Sequence, residues 1–231
     1  MNIKAVVFDI GNTLVDYPIP LNWSSLYRPA FERVAEKLNM DITEDEYIHI
    51  CNVLTKYNTR INPREREVTS SVIFSEIVNG TGFCEEEIDN MKKYFYSFFR
   101  RDVIIYSEAF ETLAEIKSKN IIIGTLSDVA YGMDNIYALE DIKALIQYID
   151  FPYTSNDTGY RKPSGKGLIL LSEKMNIKTS EMVFVGDEKK DIECAKNAGV
   201  RAVLINRTNE IRDYGQDIEI KNLTELLSFI S

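Results

Sequence analysis

The sequence contains little cysteine, a single histidine and no apolar run long enough to cross a bilayer. The three cysteines, Cys51, Cys84 and Cys194, are an odd number at wide spacing. This spacing supports neither a disulfide framework nor a paired set of zinc ligands, so we expect free thiols. The histidine, His49, lies in an apolar helical pattern, and we interpret it as a structural residue rather than a catalytic base.

Acidic residues outnumber basic residues, and the formal net charge is −9. A negative surface argues against a nucleic-acid or anionic-membrane partner, because binding to phosphate polymers draws its affinity from basic residues. The start of the chain does not resemble a secretory signal. We therefore expect a cytoplasmic protein, a monomer or homodimer, with no nucleic-acid or membrane partner. A small anionic substrate is compatible with this charge, since one local basic site can outweigh a diffuse negative surface.

What the chain does contain is enough apolar sequence for a sizeable core, with 45% hydrophobic content over 231 residues. Strand-like apolar runs occur at residues 3–8, 121–126, 148–152, 182–185, 201–205 and, more weakly, 217–220. Helical patterns occur at residues 109–119, 165–175, 191–198 and 223–230. Continuous apolar strands that alternate with helices predict an α/β fold with a doubly wound parallel sheet covered on both faces.

The segment from about residue 26 to 100 differs, because it shows several helical patterns and no convincing strand. Thr43 begins a capping box for a helix through about Tyr57, and residues 85–87 place acids at the start of a helix that runs to Phe99. Pro18, Pro20 and residues 100–106 would be its connectors. The predicted organisation is a core of residues 1–17 and 103–231 with an α-helical insertion at residues 18–102.

Polar residues follow several of the predicted strands. Asp9, Ser127 and Asp187 each come directly after or at the end of an apolar run. In an open parallel sheet, ligands bind at the carboxyl ends of the strands, so these three side chains are expected to share one pocket. The helical insertion leaves the core just after Asp9 and would lie over that pocket.

Four segments in this order resemble the haloacid dehalogenase-like hydrolase superfamily. They are the run from Val6 to Leu14 around Asp9, residues 121–128, the triplet Arg161-Lys162-Pro163, and the run from Val183 to Asp191. The resemblance covers residue 3 to about residue 206. It implies a Rossmann-like core with a mobile helical cap, and it implies transfer of phosphoryl groups from a small phosphorylated metabolite.

The resemblance also implies roles for individual residues. Asp9 would attack phosphorus and carry an aspartyl-phosphate, while Ser127 and Lys162 would complete the catalytic set. Ser127, Asp128 and Lys162 would contact the phosphate of the substrate. Thr125 is the competing assignment for Ser127, which we prefer because it stands at the end of the strand.

A magnesium ion is the implied cofactor, because the negative charge of a phosphate must be screened before a carboxylate can attack it. The implied ligands are Asp9, the backbone carbonyl of Gly11, Asp187 and Asp191, the last acting directly or through water. Oxygen ligands of this kind suit magnesium.

Gly11 is the main departure from the family pattern, because most phosphatases of this family carry a second aspartate there. That acid protonates the leaving alcohol and then activates water, which is worth about 10²–10⁴ in rate. Asp16 is the nearest acidic candidate in the sequence. The departure leaves three alternatives open: a haloacid dehalogenase, a phosphonatase-like hydrolase, and a non-catalytic phosphate-binding protein. The candidates for substrate contact are Tyr17, Trp23, Tyr27, Arg28, Arg60, Arg64 and Arg66. Aromatic residues are more often packing residues, and the run Arg64-Glu65-Arg66-Glu67 is more typical of a solvated face, so the sequence does not predict specificity.

Overall fold

The computed structural model describes residues 3–18, 22–100 and 102–230. Pro20, and the parts of the predicted domains at residues 1–2, 19–21, 101 and 231, lie outside the described residues. The strands are β1 (Ala5–Phe8), β2 (Val15–Asp16), β3 (Ile104–Ile105), β4 (Ile122–Ser127), β5 (Phe151–Thr154), β6 (Met182–Gly186), β7 (Arg201–Ile205) and β8 (Ile218–Ile220). The helices are α1 (Tyr27–Leu38), α2 (Glu44–Tyr57), α3 (Ser70–Val78), α4 (Ile88–Phe99), α5 (Ser107–Ser118), α6 (Asn135–Ala138), α7 (Ser155–Thr158), α8 (Lys166–Met175) and α9 (Lys189–Ala198).

Six strands form one parallel sheet in the order β5-β4-β1-β6-β7-β8. The central strand β1 is fully buried, and two apolar clusters cover the two faces of the sheet. Burial on both faces explains why the sequence of β1 is apolar without alternation. The predicted α/β fold with a doubly wound parallel sheet is therefore confirmed.

The register of β1 places the functional segments side by side. Phe8 is level with Thr125 of β4 on one side and with Val185 of β6 on the other. All three strands run in the same direction, so the residues that follow them emerge at one edge of the sheet. This edge is also where the strand order reverses, since β4 and β6 lie on opposite sides of β1.

Some predicted boundaries are wrong. The strand predicted at residues 148–152 is β5, which begins only at Phe151, because Ile146–Tyr148 form a 3-10 turn. Pro152 is tolerated because β5 is an edge strand, where a missing N–H breaks no ladder. The helix predicted at residues 223–230 is a 3-10 helix over Leu223–Ser228. The β2–β3 ribbon was not predicted, because two residues are too few to show a period.

Between β2 and β3 the chain forms α1 to α4, which pack around their own apolar cluster. The predicted capping box is present: the Thr43 N–H donates to Glu46 Oε2 at 2.7 Å, and the Glu46 N–H donates to Thr43 Oγ1 at 3.4 Å. The helix predicted from residue 85 is a 3-10 turn over Glu85–Glu87 that continues into α4. Tyr131, which follows β4, also packs into this cluster. The domain boundaries at residues 17/18 and 102/103 stay predictions.

The antiparallel ribbon of β2 and β3 forms the base of the helical insertion. Val15 pairs with Ile105 and Asp16 with Ile104, so the chain leaves the core and returns to it at neighbouring points. Among the described residues, no helix is both long enough and apolar enough to span a membrane.

Candidate active site

Asp9 stands directly after β1, at the edge where the strands end. Its N–H donates to the carbonyl of Val185 at 2.8 Å, which continues the sheet ladder by one residue. The turn that follows is closed by the Leu14 N–H, which donates to the carbonyl of Ile10 at 2.9 Å. Asn12 takes a positive φ of 53° within this turn, a conformation that asparagine tolerates better than most residues. The buried Asp9 side chain lines a cavity beneath the insertion.

Asp187 and Asp191 join Asp9 in a cluster whose carboxylate oxygens lie within 4.8 Å of one another. Asp187 follows β6, and Asp191 lies in the first turn of α9, where its Oδ2 accepts the N–H of Glu188 at 2.8 Å. The close approach depends on Gly186, because a Cβ at that position would lie 2.4 Å from the Asp191 Cβ. The Asn12 side-chain amide also donates to Asp187 Oδ2 at 3.3 Å.

Lys162 places its ammonium between two of these carboxylates. Its Nζ lies 2.9 Å from Asp9 Oδ1 and 2.6 Å from Asp191 Oδ1, and only 1% of its side chain is exposed. The three atoms are at ion-pair distance, but their angles are not those of hydrogen bonds. Burial lowers the pKa of Lys162, yet Asp191 and Asp9 raise it well above its usual range. The ammonium therefore stays charged.

The three carboxyl groups differ in their pKa values. Burial raises the pKa of Asp9, but the charges of Lys162 and Lys190 bring it below its ordinary value. Burial, together with the charges of Asp9 and Asp191, raises the pKa of Asp187 to about 7. Burial raises the pKa of Asp191 to about 6, with Lys162 opposing the shift and Asp9 adding to it. Asp9 is thus held as the anion.

The charge of the cluster fits a divalent cation. Three carboxylates face one ammonium, so full ionisation leaves two negative charges uncompensated in a largely buried site. Hard oxygen donors of this kind are the ligands that magnesium prefers, and few carboxylates are needed. The residues present therefore fit a magnesium ion held by Asp9, Asp187 and Asp191, with the carbonyl of Gly11 as the further predicted ligand.

We expect the effect of magnesium on stability to increase with pH. Without metal, the raised pKa values of Asp187 and Asp191 mean that ionisation destabilises the fold. This cost is absent below the unfolded pKa of about 4, grows as the pH rises, and is complete above about 7. A bound cation offsets it, and protons compete with the cation at low pH. Thermal unfolding at pH 5.5 and 8 should show the larger magnesium-induced rise in Tm at pH 8, and an equal rise at both would contradict this assignment.

The second segment brings Ser127 to the cavity and leaves Thr125 inside the fold. Ser127 ends β4 and lines the same cavity as Asp9. Thr125 is fully buried, and its hydroxyl donates to the carbonyl of Tyr153 at 3.0 Å. Of these two residues, only Ser127 is therefore placed to reach a ligand in the cavity.

Asp128 contacts the segment that carries Lys162. Its Oδ1 accepts the backbone N–H of Lys162 at 3.0 Å. Its Oδ2 lies 3.7 Å from both the Arg161 guanidinium and the Lys190 ammonium. The carboxylate thus contacts cations of the protein, and its predicted contact with phosphate stays a prediction.

Gly11 faces the ring of Tyr17. A Cβ at Gly11 would lie 3.2 Å from Tyr17 Cε2, which is a tight contact, and Gly11 does not have a positive φ. The Tyr17 hydroxyl donates to Asp141 Oδ2 at 2.9 Å, and burial and Asp141 both raise the pKa of Tyr17. The Tyr17 ring, which is held by Asp141, therefore occupies the space that an acidic side chain at position 11 would need. Sequence reasoning missed this pair because Asp141 lies in a different part of the chain with no signal that connects them.

Gly11→Asp is expected to lower the free energy of unfolding by about 1–3 kcal/mol, because the added atoms press on the Tyr17 ring. Tyr17→Ala removes the ring, so the cost of the double variant should be smaller than the sum of the two single costs. Gly11→Ala adds only the Cβ and is the matched control. Urea unfolding of the wild type and these four variants measures the coupling, and strictly additive costs would show that the ring does not fill this space.

The cavity over Asp9 measures about 800 Å³ and adjoins another of about 1050 Å³. Residues that line both include Trp23, Arg60, Lys162, Glu188 and Lys190. Trp23 stacks on Phe99 of α4 at 3.8 Å between ring centroids. Arg60 is highly exposed, with its guanidinium 3.7 Å from Glu188. The single tryptophan of the sequence therefore lies in the cavity wall.

The remaining candidates lie elsewhere. Asp16 lies in the β2–β3 ribbon and is absent from the described residues that line the two cavities. His49 lies on α2, where its Nε2 pairs with the carbonyl of Glu76 at 2.9 Å. Each of the three cysteines is a free thiol, and Cys194 is buried.

Comparison with known proteins agrees with this arrangement. A family model for haloacid dehalogenase-like hydrolases matches residues 6–205, which is most of the chain. The chain belongs to the haloacid dehalogenase-like hydrolase family. It is therefore an enzyme of the hydrolase class, and the resemblance noted in the sequence is confirmed.

This hydrolase is similar to named phosphatases and to a named dehalogenase. It is 23% identical over 211 residues to a phosphoglycolate phosphatase of Shigella dysenteriae serotype 1, covering 87% of this chain and 81% of that one. It is 25% identical over 203 residues to a phosphorylated carbohydrates phosphatase of Thermotoga maritima, covering 87% and 84%. The structure matches a 2-haloacid dehalogenase from Pseudomonas syringae pv. Tomato with a TM-score of 0.68 and 24% identity, over 98% and 97% of the two chains. The last likeness shows the fold alone.

Proposed function

We propose that this hydrolase is a magnesium-dependent phosphohydrolase that acts on a small phosphorylated metabolite through an aspartyl-phosphate on Asp9. The observation that carries the proposal is the cluster of Asp9, Asp187 and Asp191 around the Lys162 ammonium. Such a cluster combines an ionised nucleophile with an oxygen-rich cation site. The named phosphatases among its relatives support a phosphorylated substrate.

In the first half of the reaction, a carboxylate oxygen of Asp9 attacks phosphorus and the bond to the leaving alcohol breaks. Lys162 offsets negative charge on Asp9 and on the phosphoryl group. The Ser127 hydroxyl donates to a phosphoryl oxygen and so orients it. Magnesium, held by Asp9, the carbonyl of Gly11, Asp187 and Asp191, would supply further screening of the phosphate charge.

In the second half, water attacks the phosphorus of the aspartyl-phosphate, and Asp9 is released as the carboxylate. Both halves require a proton transfer, first to the leaving oxygen and then from the water. No carboxylate stands at Gly11 to perform it. Turnover is therefore expected to depend strongly on the basicity of the leaving alcohol.

One observation favours a haloacid dehalogenase as the second candidate: the second acid is absent at Gly11, as it is in dehalogenases. In that reaction Asp9 would attack carbon and displace a halide. The three-carboxylate cluster argues against it, because displacing a halide from carbon requires no cation. A phosphonatase would require a Schiff-base lysine in the insertion, and we identify no such residue among the described ones.

A substrate screen tests the proposal directly. Purified protein should be offered phosphorylated metabolites and 2-haloacids, each with magnesium and with excess chelator. Release of inorganic phosphate only with magnesium supports the phosphohydrolase. Release of halide that persists in chelator would favour the dehalogenase, and no turnover of any compound would favour a non-catalytic protein.

A further inference from the structure

The insertion touches the core at the segment that carries Lys162. The N–H of Glu67 donates to the carbonyl of Gly159 at 3.1 Å, and the N–H of Arg161 donates to the carbonyl of Glu65 at 2.8 Å. These two bonds form an antiparallel bridge centred on Arg66 and Tyr160. The contact joins residues 65–67 of the insertion to residues 159–161 of the core, and we call it the third attachment, after the two chain crossings at the β2–β3 ribbon.

A buried ion pair lies at the centre of the third attachment. The carboxylate of Glu67 pairs with the guanidinium of Arg161, and their side chains are 2% and 6% exposed. Glu67 Oε2 also accepts the hydroxyl of Ser155 at 2.6 Å, and its Oε1 accepts from Arg64 at 3.1 Å. A buried ion pair is tolerated when its remaining hydrogen-bonding groups are satisfied, and removing one partner leaves the other charge unpaired.

The Arg161 guanidinium also bonds to both the core and the insertion. Its Nη1 donates to the carbonyl of Val129 at 2.7 Å, and its Nη2 donates to the hydroxyl of Thr59 at 3.2 Å. The next residue is Lys162, whose backbone N–H is held by Asp128. The backbone is therefore held at both residues, with the Arg161 N–H on the carbonyl of Glu65 in the insertion and the Lys162 N–H on the side chain of Asp128 in the core.

We propose that Glu67 is a positioning residue, which acts through Arg161 to hold the Lys162 ammonium between Asp9 and Asp191. The proposal rests on the proposed function, in which that ammonium offsets charge during phosphoryl transfer. Glu67 is far from Lys162 in sequence but is joined to it by one ion pair and one peptide bond. The position of the insertion is thereby coupled to the position of a catalytic group.

Glu67→Gln tests the proposal, because it removes the charge and keeps the shape. A misplacement of about 1 Å can cost about 100-fold in rate, so we expect kcat to fall by about 10- to 100-fold. The loss should fall on kcat more than on KM, because the phosphate site is displaced rather than removed. Glu67→Asp retains the charge and should recover part of the loss. In Glu67→Gln/Arg161→Gln the loss should be no greater than in the worse single variant, since the two residues act as a unit.

The matched control is Asp134→Asn, at another ion pair between the insertion and the core. Asp134 Oδ2 lies 3.0 Å from the Lys92 ammonium, and its Oδ1 accepts the hydroxyl of Ser70 at 2.8 Å. This variant should lose stability without a change in kcat. If Glu67→Gln also keeps the wild-type kcat at a temperature where both variants are folded, Glu67 only fastens the insertion and the proposal is wrong.

A second measurement separates this proposal from the proposed function. Amine acylation of the native protein, followed by mass spectrometry, reports how often Lys162 leaves its buried site. We expect Lys162 to be protected in the wild type and in Asp134→Asn, and to be labelled several-fold faster in Glu67→Gln. If the wild-type protein showed no phosphatase activity, the proposed function would be wrong, but the labelling of Lys162 would still test the positioning role. Equal labelling of Lys162 in all three proteins would overturn the positioning role.

Discussion

Asp9→Asn should abolish turnover, with kcat lower by at least about 10³-fold, as expected when a nucleophile that acts together with its partners is lost. The amide cannot attack phosphorus, and its missing charge also removes one side of the ion pair with Lys162. The measurement is magnesium-dependent hydrolysis of an aryl phosphate, together with formation of a beryllium fluoride adduct. Both should be lost in the variant.

Asp41→Asn is a suitable control for Asp9→Asn, because it makes the same chemical change at an exposed carboxylate of the insertion. It should retain wild-type kcat and the adduct. An Asp9→Asn protein that keeps its rate would show that this carboxylate is not the nucleophile and acts at most as a cation ligand.

Asp187→Asn should also abolish magnesium-dependent turnover, with a loss of at least about 10²-fold, because a carboxylate of the cation site becomes a neutral amide. The metal-free variant should nevertheless be more stable than the wild type at pH 8. The pKa of Asp187 is raised to about 7, so the cost of ionising it in the fold is fully present at pH 8, and asparagine removes this cost. A higher Tm combined with lost activity is typical of a residue retained for function.

Titration with magnesium provides the check on the Asp187 prediction. Wild-type Tm should rise with added magnesium at pH 8, and Asp187→Asn should show little rise. Activity of the wild type in excess chelator, or an unchanged magnesium response in the variant, would contradict the assignment of Asp187 to the cation site.

The sequence was sufficient to predict which residues meet at the edge of the sheet. Asp9, Ser127 and Asp187 follow parallel apolar strands, and parallel strands end on the same side, so their meeting follows from the strand pattern alone. The place of Lys162 came from resemblance, because its segment precedes α8 and follows no strand directly. The roles of these residues stay predictions until the variants are measured.

Contacts between residues that are far apart in the chain could not be predicted from the sequence. The ring of Tyr17 fills the space beside Gly11, and its anchor Asp141 lies 124 residues away. Glu67 and Arg161 are separated by 94 residues. The run Arg64-Glu65-Arg66-Glu67 is typical of a solvated face, and the sequence does not show that Glu67 is buried in an ion pair, because burial is decided by packing rather than by local pattern. The start of β5 was misplaced for a related reason, since apolar content alone does not separate a short strand from a 3-10 turn.

The third attachment has a consequence for how such a protein can change over evolutionary time. The β2–β3 ribbon brings both chain crossings to one place, and insertions whose ends lie close together are the kind that can be replaced as a block with little strain on the host fold. Here a block exchange at the ribbon would remove Glu67, the carboxylate of the insertion that pairs with Arg161. A foreign insertion would have to bring an acid of its own to that position, or arrive together with a matching change at Arg161. An exchange of the insertion would therefore have to preserve its fit to the segment that carries Lys162.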